Sequence, residues 1–237
     1  MPPWAEQVPE GELAGAIARA GAGNPLLGFG TGTGISAEEL CGGDTGSGNA
    51  TRLIDAVGAW LGHPERRVAA SLVVLGYSAR LLGPTLAVLL RDGVLLDARP
   101  AAVRYAYAPE TGFVLSLARL AGWRGAPVAL REDWCRTVID AHLGPVIDAV
   151  RAAVPVAAGL LWGNVASGLA GTLRSLATSG AVPVNDCYDT GSALLRYGPL
   201  RDAGTLSGSD GQLTFLRRSC CLYYRIEGAG TCGDCPL

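Results

Sequence analysis

The sequence predicts an α+β fold, predominantly helical, with a small antiparallel sheet near residues 94–117 and a cysteine-bearing C-terminal segment. Three observations carry this. Apolar residues recur at helical spacing along much of the chain, as in Leu53, Ile54, Val57, Trp60 and Leu61. One stretch alternates with period two, Val103, Tyr105 and Tyr107 against Arg104 and Ala106. Four of the seven Cys stand at 220, 221, 232 and 235, behind a Ser/Gly-rich run. With 49% hydrophobic and 17% charged residues in 237, the chain has enough apolar mass for a packed core.

Taken in order, Glu12 to Arg19 places Leu13, Ala16 and Ile17 on one helical face. Asn24 to Gly34, with glycines at 28, 30, 32 and 34, reads as a flexible loop. Ser36 and Glu39 have capping-box spacing for a short helix, and Cys41 to Asn49 reads as loop again. The helix through Leu53 and Leu61 stops at Gly62-His63-Pro64. Arg66 to Arg91 predicts one or two buried helices broken near Gly83-Pro84. Val94 to Leu96, Ala102 to Tyr107 and Gly112 to Leu117 are strand candidates, the last two joined by the turn Pro109-Glu110-Thr111-Gly112. Glu132 to Ala153 is helical with a kink expected at Pro145. Val156 to Thr178 is a long helix with Gly159, Gly163, Gly168 and Gly171 open to close approach. Ser192 to Tyr197 is a short helix, and Leu206 to Gly211 reads as a linker. The organisation expected is a mostly helical body over 1–210 and a C-terminal segment over 211–237.

Composition removes several function classes. Net charge is −2, which argues against nucleic acid as a partner. All 19 basic residues are Arg, which excludes lysine Schiff-base chemistry and the P-loop motif. With only His63 and His142, a three-histidine metal site cannot form from one chain, and neither His has the flanks of a catalytic triad. The opening residues Met1 to Glu6 have neither the basic nor the apolar region of a secretory leader. The most apolar window, Ser71 to Leu90, holds Arg80, Gly83 and Pro84 and reads as core helix, so no transmembrane segment is expected. The expectation is a cytoplasmic protein, where thiols stay reduced. Gly28-x-Gly30-x-Gly32-x-Gly34 alternates and misses the register of a dinucleotide fingerprint. Cys41, Cys135 and Cys187 are isolated and read as buried or idle thiols.

The informative pattern is C-C-x10-C-x2-C, formed by Cys220, Cys221, Cys232 and Cys235. Gly228 and Gly230 give the intervening chain room to fold back, and Gly233 would allow positive φ in the last turn. Three arrangements compete. A structural zinc site would use four thiolates, but zinc ribbons build each half from C-x2-C, which adjacent Cys do not supply. Two disulfides suit an oxidising compartment better than the cytoplasm. An iron–sulfur cluster with two irons is longer than one ion and tolerates unequal ligand pairs, so it suits adjacent Cys better.

The same motif at the C-terminus resembles that of the FhuF-type ferric-siderophore reductases, and Leu161-Trp162-Gly163-Asn164 is similar to a second segment of that family. The resemblance implies a 2Fe–2S cluster held by Cys220, Cys221, Cys232 and Cys235, as cofactor and metal ligands together. It implies one-electron reduction of siderophore-bound Fe(III), releasing Fe(II), which oxygen chelators hold far less tightly. No catalytic residue beyond the cluster ligands is required. The partners expected are a ferric siderophore, held by the helical body, and an electron-donor protein such as a ferredoxin or flavoprotein reductase. Arg217, Arg218 and Arg225 flank the ligands and could offset the cluster's charge or hold substrate or donor. Leu222, Tyr223 and Ile226 would cover the cluster, while Tyr224, Trp162 and Asn164 are further candidates for substrate or donor contact. The alternative is a non-enzymatic iron–sulfur or zinc protein that binds a siderophore or a partner.

Overall fold

In a computed structural model, which describes residues 5–209 and 211–237, the chain begins with β1 (Glu6–Gln7) and α1 (Glu10–Gly21). The opening residues read above for a leader lie partly outside this range. A 3-10 turn at Pro25–Leu27 and a glycine-rich ribbon lead to β2 (Ile35–Ser36), α2 (Ala37–Cys41), α3 (Gly43–Leu61) and the longest helix, α4 (Arg66–Asp92). Four strands follow: β3 (Leu95–Leu96), β4 (Val103–Ala108), β5 (Gly112–Leu117) and β6 (Gly122–Arg124). The helical second half comprises α5 (Pro127–Trp134), a π-helical stretch at Cys135–Leu143, α6 (Gly144–Ala153), α7 (Ala158–Thr178) and α8 (Val184–Leu194). A hairpin, β7 (Gly204–Ser209) and β8 (Gln212–Arg217), delivers the chain to the cysteines.

The core forms around α4 and α7. Helix α4 is buried on nearly all sides from Val68 to Leu89, which is why its sequence lacks a polar stripe. It is long and apolar enough to cross a membrane, with mean hydropathy 1.6 over a window that is 72% buried inside this fold. Helix α7 crosses it where Gly168 meets the Ala79 backbone: a Cβ there would sit 3.4 Å from Ala79 Cα. Tyr77, at the middle of α4, packs edge-on against Tyr105 and Phe113 of the β4–β5 hairpin.

Several expectations need correction. The helix over 66–92 does not break at Gly83-Pro84. Thr85 Oγ1 donates to the Leu81 carbonyl, Gly83 makes room for the Leu26 backbone, and packing on all sides outweighs the one helical bond that Pro84 lacks. Around Pro145 the helix widens instead of kinking. Gly144 N–H bonds Ile139 O, five residues back, and Pro145 falls at the restart of α6, where a missing N–H costs little. The strands near 94–117 form two sheets, β1-β6-β3 and β2-β4-β5, both antiparallel. The loop expected over Cys41–Asn49 is largely the start of α3, and the helix expected at Ser192 starts at Val184 and ends at Leu194. The glycines at 30 and 34 are not there for flexibility. A Cβ at either would collide with Val114 or with the Tyr105 backbone, so the ribbon lies flat on the β4–β5 hairpin.

The linker expected over Leu206–Gly211 is strand β7 as far as Ser209, paired with β8 from Gly204↔Arg217 to Ser209↔Gln212; its Asp210 lies outside the described residues. The boundary drawn at 211 therefore falls in the turn of this hairpin. Along β8, Leu213, Phe215 and Arg217 point inward while Gln212, Thr214 and Leu216 face solvent. The pleat thus drives Arg217 toward α7 and releases Arg218 to the outside.

Candidate metal centre

The cysteine tail is seated on α4 and α7 by a chain of buried polar contacts. Ser71 Oγ, on α4, donates to the Cys221 carbonyl at 2.6 Å. Asn164 Nδ2, on α7, donates to the Ser71 carbonyl at 2.7 Å and to Ser71 Oγ at 2.9 Å. Arg217 Nη2 in turn donates to Asn164 Oδ1. Gly163, beside Asn164, is what lets the tail come this close: a Cβ would collide with Ser219 Oγ and crowd Arg217 Nη2. The second arm of the tail is fixed by Asp234. Its carboxylate accepts from Ser167 Oγ and from Arg174 Nη2 at 3.1 Å, and its carbonyl accepts the Arg217 N–H at 3.1 Å. A turn closed by Cys235 N–H to Cys232 O then presents both cysteines beside it.

Two of the four sulfurs come together. Cys221 Sγ and Cys232 Sγ are 3.6 Å apart. Two thiolates on one tetrahedral metal, with metal–sulfur bonds of about 2.3 Å, would be separated by roughly 3.8 Å. Among the described residues, no group of three or more His, Cys, Asp or Glu surrounds a single point. Cys220 Sγ accepts the Leu222 N–H at 3.3 Å. Burial pushes the Cys221 thiol up to about 11, opposed by the Tyr223 backbone N–H and the charge on Arg217. These donors reach back because Leu222 adopts φ 67°, a left-handed conformation that costs a leucine about 1–2 kcal/mol. Gly228 and Gly230 are also left-handed, at φ 76° and 70°, while Gly233, expected to take that role, does not have positive φ.

Arg217 is the feature that tests whether an anionic group fits. It is 2% exposed, its Nε and Nη1 have no hydrogen-bond partner among the described residues, and it joins no ion pair among them. A buried, unpaired cation is costly. A cluster with four thiolates, formally about −2 oxidised and about −3 reduced, would offset that cost. The other flanking arginines have different fates. Arg218 lies on the surface, paired with Asp202 at 3.0 Å, and is turned away from the sulfurs by the pleat. Arg225 pairs with Glu65 at 2.5 Å and lies over the Tyr224 ring. Tyr224 is 43% exposed, and its hydroxyl accepts from Arg225 Nε at 3.3 Å.

Asn164, expected to meet substrate or donor, is fully buried and meets Ser71 and Arg217 instead. Trp162 is half-buried against the core. Leu222, Tyr223 and Ile226 are half-buried beside the tail. Sequence reasoning missed Ser71, Ser167, Arg174 and Asp234. Their partners are distant in the chain, and the available signals were the Asp inside C-x2-C and the period-two placement of Arg217. Of the remaining thiols, burial pushes Cys41 and Cys135 up to about 12 and Cys187 to about 11.

A helical body that buries an arginine with no ion pair among the described residues beside a four-cysteine tail has the character of a metalloprotein with an anionic, thiolate-held centre. Family comparison agrees in both regions: residues 217–237 match the FhuF 2Fe-2S C-terminal domain, and residues 71–187 match the family described as ferric iron reductase FhuF-like transporter. The chain belongs to this FhuF-like ferric iron reductase family and carries its 2Fe–2S domain. The second match begins at Ser71 and contains Asn164, so the network beneath Cys221 joins the two matched regions. No curated protein matches the chain.

Proposed function

We propose that the protein is a cytoplasmic ferric-siderophore reductase whose cluster is ligated by Cys220, Cys221, Cys232 and Cys235. Held by those thiolates, a 2Fe–2S cluster would supply a one-electron couple, suited to an electron from a ferredoxin or a reduced flavoprotein and to the reduction of chelated Fe(III) to Fe(II). The observation that carries the reading is Arg217, a buried guanidinium beside the thiol pair with two nitrogens unpartnered among the described residues. Its charge favours the reduced, more negative state of an anionic group next to it. Leu222 and Tyr223 N–H groups act in the same direction by donating toward sulfur. Asn164 and Ser71 hold Arg217 and the Cys221 backbone in register, so the charge and the sulfur keep a fixed separation. No proton needs to move, consistent with the engagement of both ring nitrogens of His142 inside the core.

The test is anaerobic. Protein reduced with dithionite and freed of excess reductant is mixed with a ferric siderophore in the presence of a colourimetric Fe(II) trap. The reading expects bleached visible absorption to return, a reduced-state S = 1/2 signal to vanish, and one Fe(II) to be trapped per cluster. A cluster that stays reduced in the presence of every ferric chelate supports the non-enzymatic alternative. A colourless protein that retains zinc after reconstitution rules out both iron–sulfur readings.

A further inference from the structure

The four cysteines arrive on two arms of the tail, Cys220 and Cys221 behind β8, Cys232 and Cys235 in the last turn. Cys221 is 1% exposed, whereas Cys220, Cys232 and Cys235 are half-buried. The two adjacent residues therefore carry their sulfurs to different depths. The 3.6 Å approach of Cys221 Sγ to Cys232 Sγ runs across the arms and not along either one. Each arm has its own seat. Ser71 on α4 holds the Cys221 carbonyl, while Ser167 and Arg174 on α7 hold the Asp234 carboxylate. The Arg217 N–H, donated to the Asp234 carbonyl at 3.1 Å, pins the second arm against the end of β8. The crossing contact is thus fixed from both helices.

We infer that the irons are ligated across the arms, Cys221 with Cys232 on one and Cys220 with Cys235 on the other, and that the electron of the reduced cluster rests on the Cys221–Cys232 iron. The inference rests on the four-cysteine ligation proposed above. An adjacent pair would have to bring two sulfurs of unlike depth onto one ion. The crossed pair already stands near the roughly 3.8 Å that one tetrahedral metal imposes. Electrostatics then separate the two ends. Each receives a backbone donor, Leu222 N–H at Cys220 and Tyr223 N–H at Cys221, so these contributions offset each other. The Asp234 carboxylate is answered by Arg174. Arg217 has no ion pair among the described residues, and Asn164 and Ser71 hold it on the Cys221 side. Water at the half-buried Cys220 and Cys235 pulls the electron the other way, but a full charge acting through a low-dielectric interior outweighs it.

The test uses the full chain, made by joining synthetic 220–237 to a 1–219 thioester at the Ser219–Cys220 bond, then refolded and loaded with iron and sulfide. In each preparation one of the four cysteines is β-deuterated. Proton NMR of a reduced 2Fe–2S protein resolves the cysteine βCH2 signals. Shifts on the ferric iron shrink on warming, and those on the ferrous iron grow. Each label deletes one cysteine's signals and so assigns its iron. Labels at 221 and 232 are expected to delete signals that grow on warming, and labels at 220 and 235 signals that shrink. Any other division into pairs overturns the crossed ligation. The same division with the classes exchanged, or a single class for all four, overturns the localisation. Arg217→Met should draw the two classes together or exchange them; unchanged classes in that variant also overturn the localisation. A second measurement needs no cluster. A stoichiometric amount of diamide takes two electrons and two protons from two thiols of the metal-free chain, leaving a disulfide that peptide mass mapping identifies. A Cys221–Cys232 bond is expected first, and a bond within either arm counts against the crossed contact. A chain that forms the crossed bond but gives no βCH2 signals of either class upholds the contact and defeats the cluster reading on which the pairing rests.

Discussion

Two buried polar clusters lie within six residues of each other on α4, and they are built differently. Tyr77 meets His142, whose Nε2 is 2.7 Å from the tyrosine oxygen and whose Nδ1 is 2.6 Å from the Ala98 carbonyl. Both ring nitrogens are occupied, the ring is neutral, and burial lowers its titration to about 4. Ser71 instead anchors Asn164 and Arg217, where a full charge is buried and two nitrogens have no partner among the described residues. The first cluster is complete and ties helix to helix. The second is left one anion short at the cysteines. A satisfied polar core stabilises a fold, whereas an unsatisfied one beside reactive groups marks what the fold was built to hold.

That contrast can be broken at several points. The largest effect is expected from changing single cysteines at 220, 221, 232 or 235 to Ser, which should abolish the visible spectrum of reconstituted protein; a variant that keeps wild-type absorption and iron content removes that residue from the ligand set. Asn164→Leu strands Arg217 and frees Ser71, and should cost about 3–5 kcal/mol in denaturant unfolding together with most of the bound iron. The Tyr77–His142 cluster should respond to acid. The folded ring titrates at about 4 against 6.5 when exposed, so the unfolded chain binds the proton first. Stability should fall by about 3 kcal/mol as pH drops from 6.5 to 4. His142→Gln should flatten that slope by one proton without altering the cluster spectrum. Gly163→Ala should cost about 1–3 kcal/mol by pushing Ser219 off α7, with iron lost more easily to a chelator. Arg218→Ala, by contrast, removes an exposed ion pair and should shift stability and midpoint potential by no more than about 0.5 kcal/mol.

The two clusters also differ in how far the sequence revealed them. The helices around Tyr77 were legible from apolar spacing, and the strands Val103–Ala108 and Gly112–Leu117 from alternation and a turn. The four thiols were legible from their spacing. What the sequence hid was anything set by partners far along the chain. Ser71 and Asn164 are 93 positions apart, and no local pattern marks a serine on an apolar helix as an anchor. Pro84 read as a helix end because local rules cannot weigh burial on every side. The hairpin β7–β8 read as a linker because Ser and Gly dominate its first strand, although Leu213, Phe215 and Arg217 already alternated. Leu222 in a left-handed conformation runs against residue preference altogether, which is the kind of local cost that folds tolerate at functional turns.

The account centres on Arg217 as the counter-charge held ready for the cluster, so the most direct test is the midpoint potential of wild type, Arg217→Lys and Arg217→Met by anaerobic redox titration. The account predicts a cluster in all three, a Met variant lower than wild type by on the order of 100 mV, and a Lys variant between them. Equal midpoints in wild type and the Met variant, with the cluster intact, would contradict it and reduce Arg217 to a packing residue.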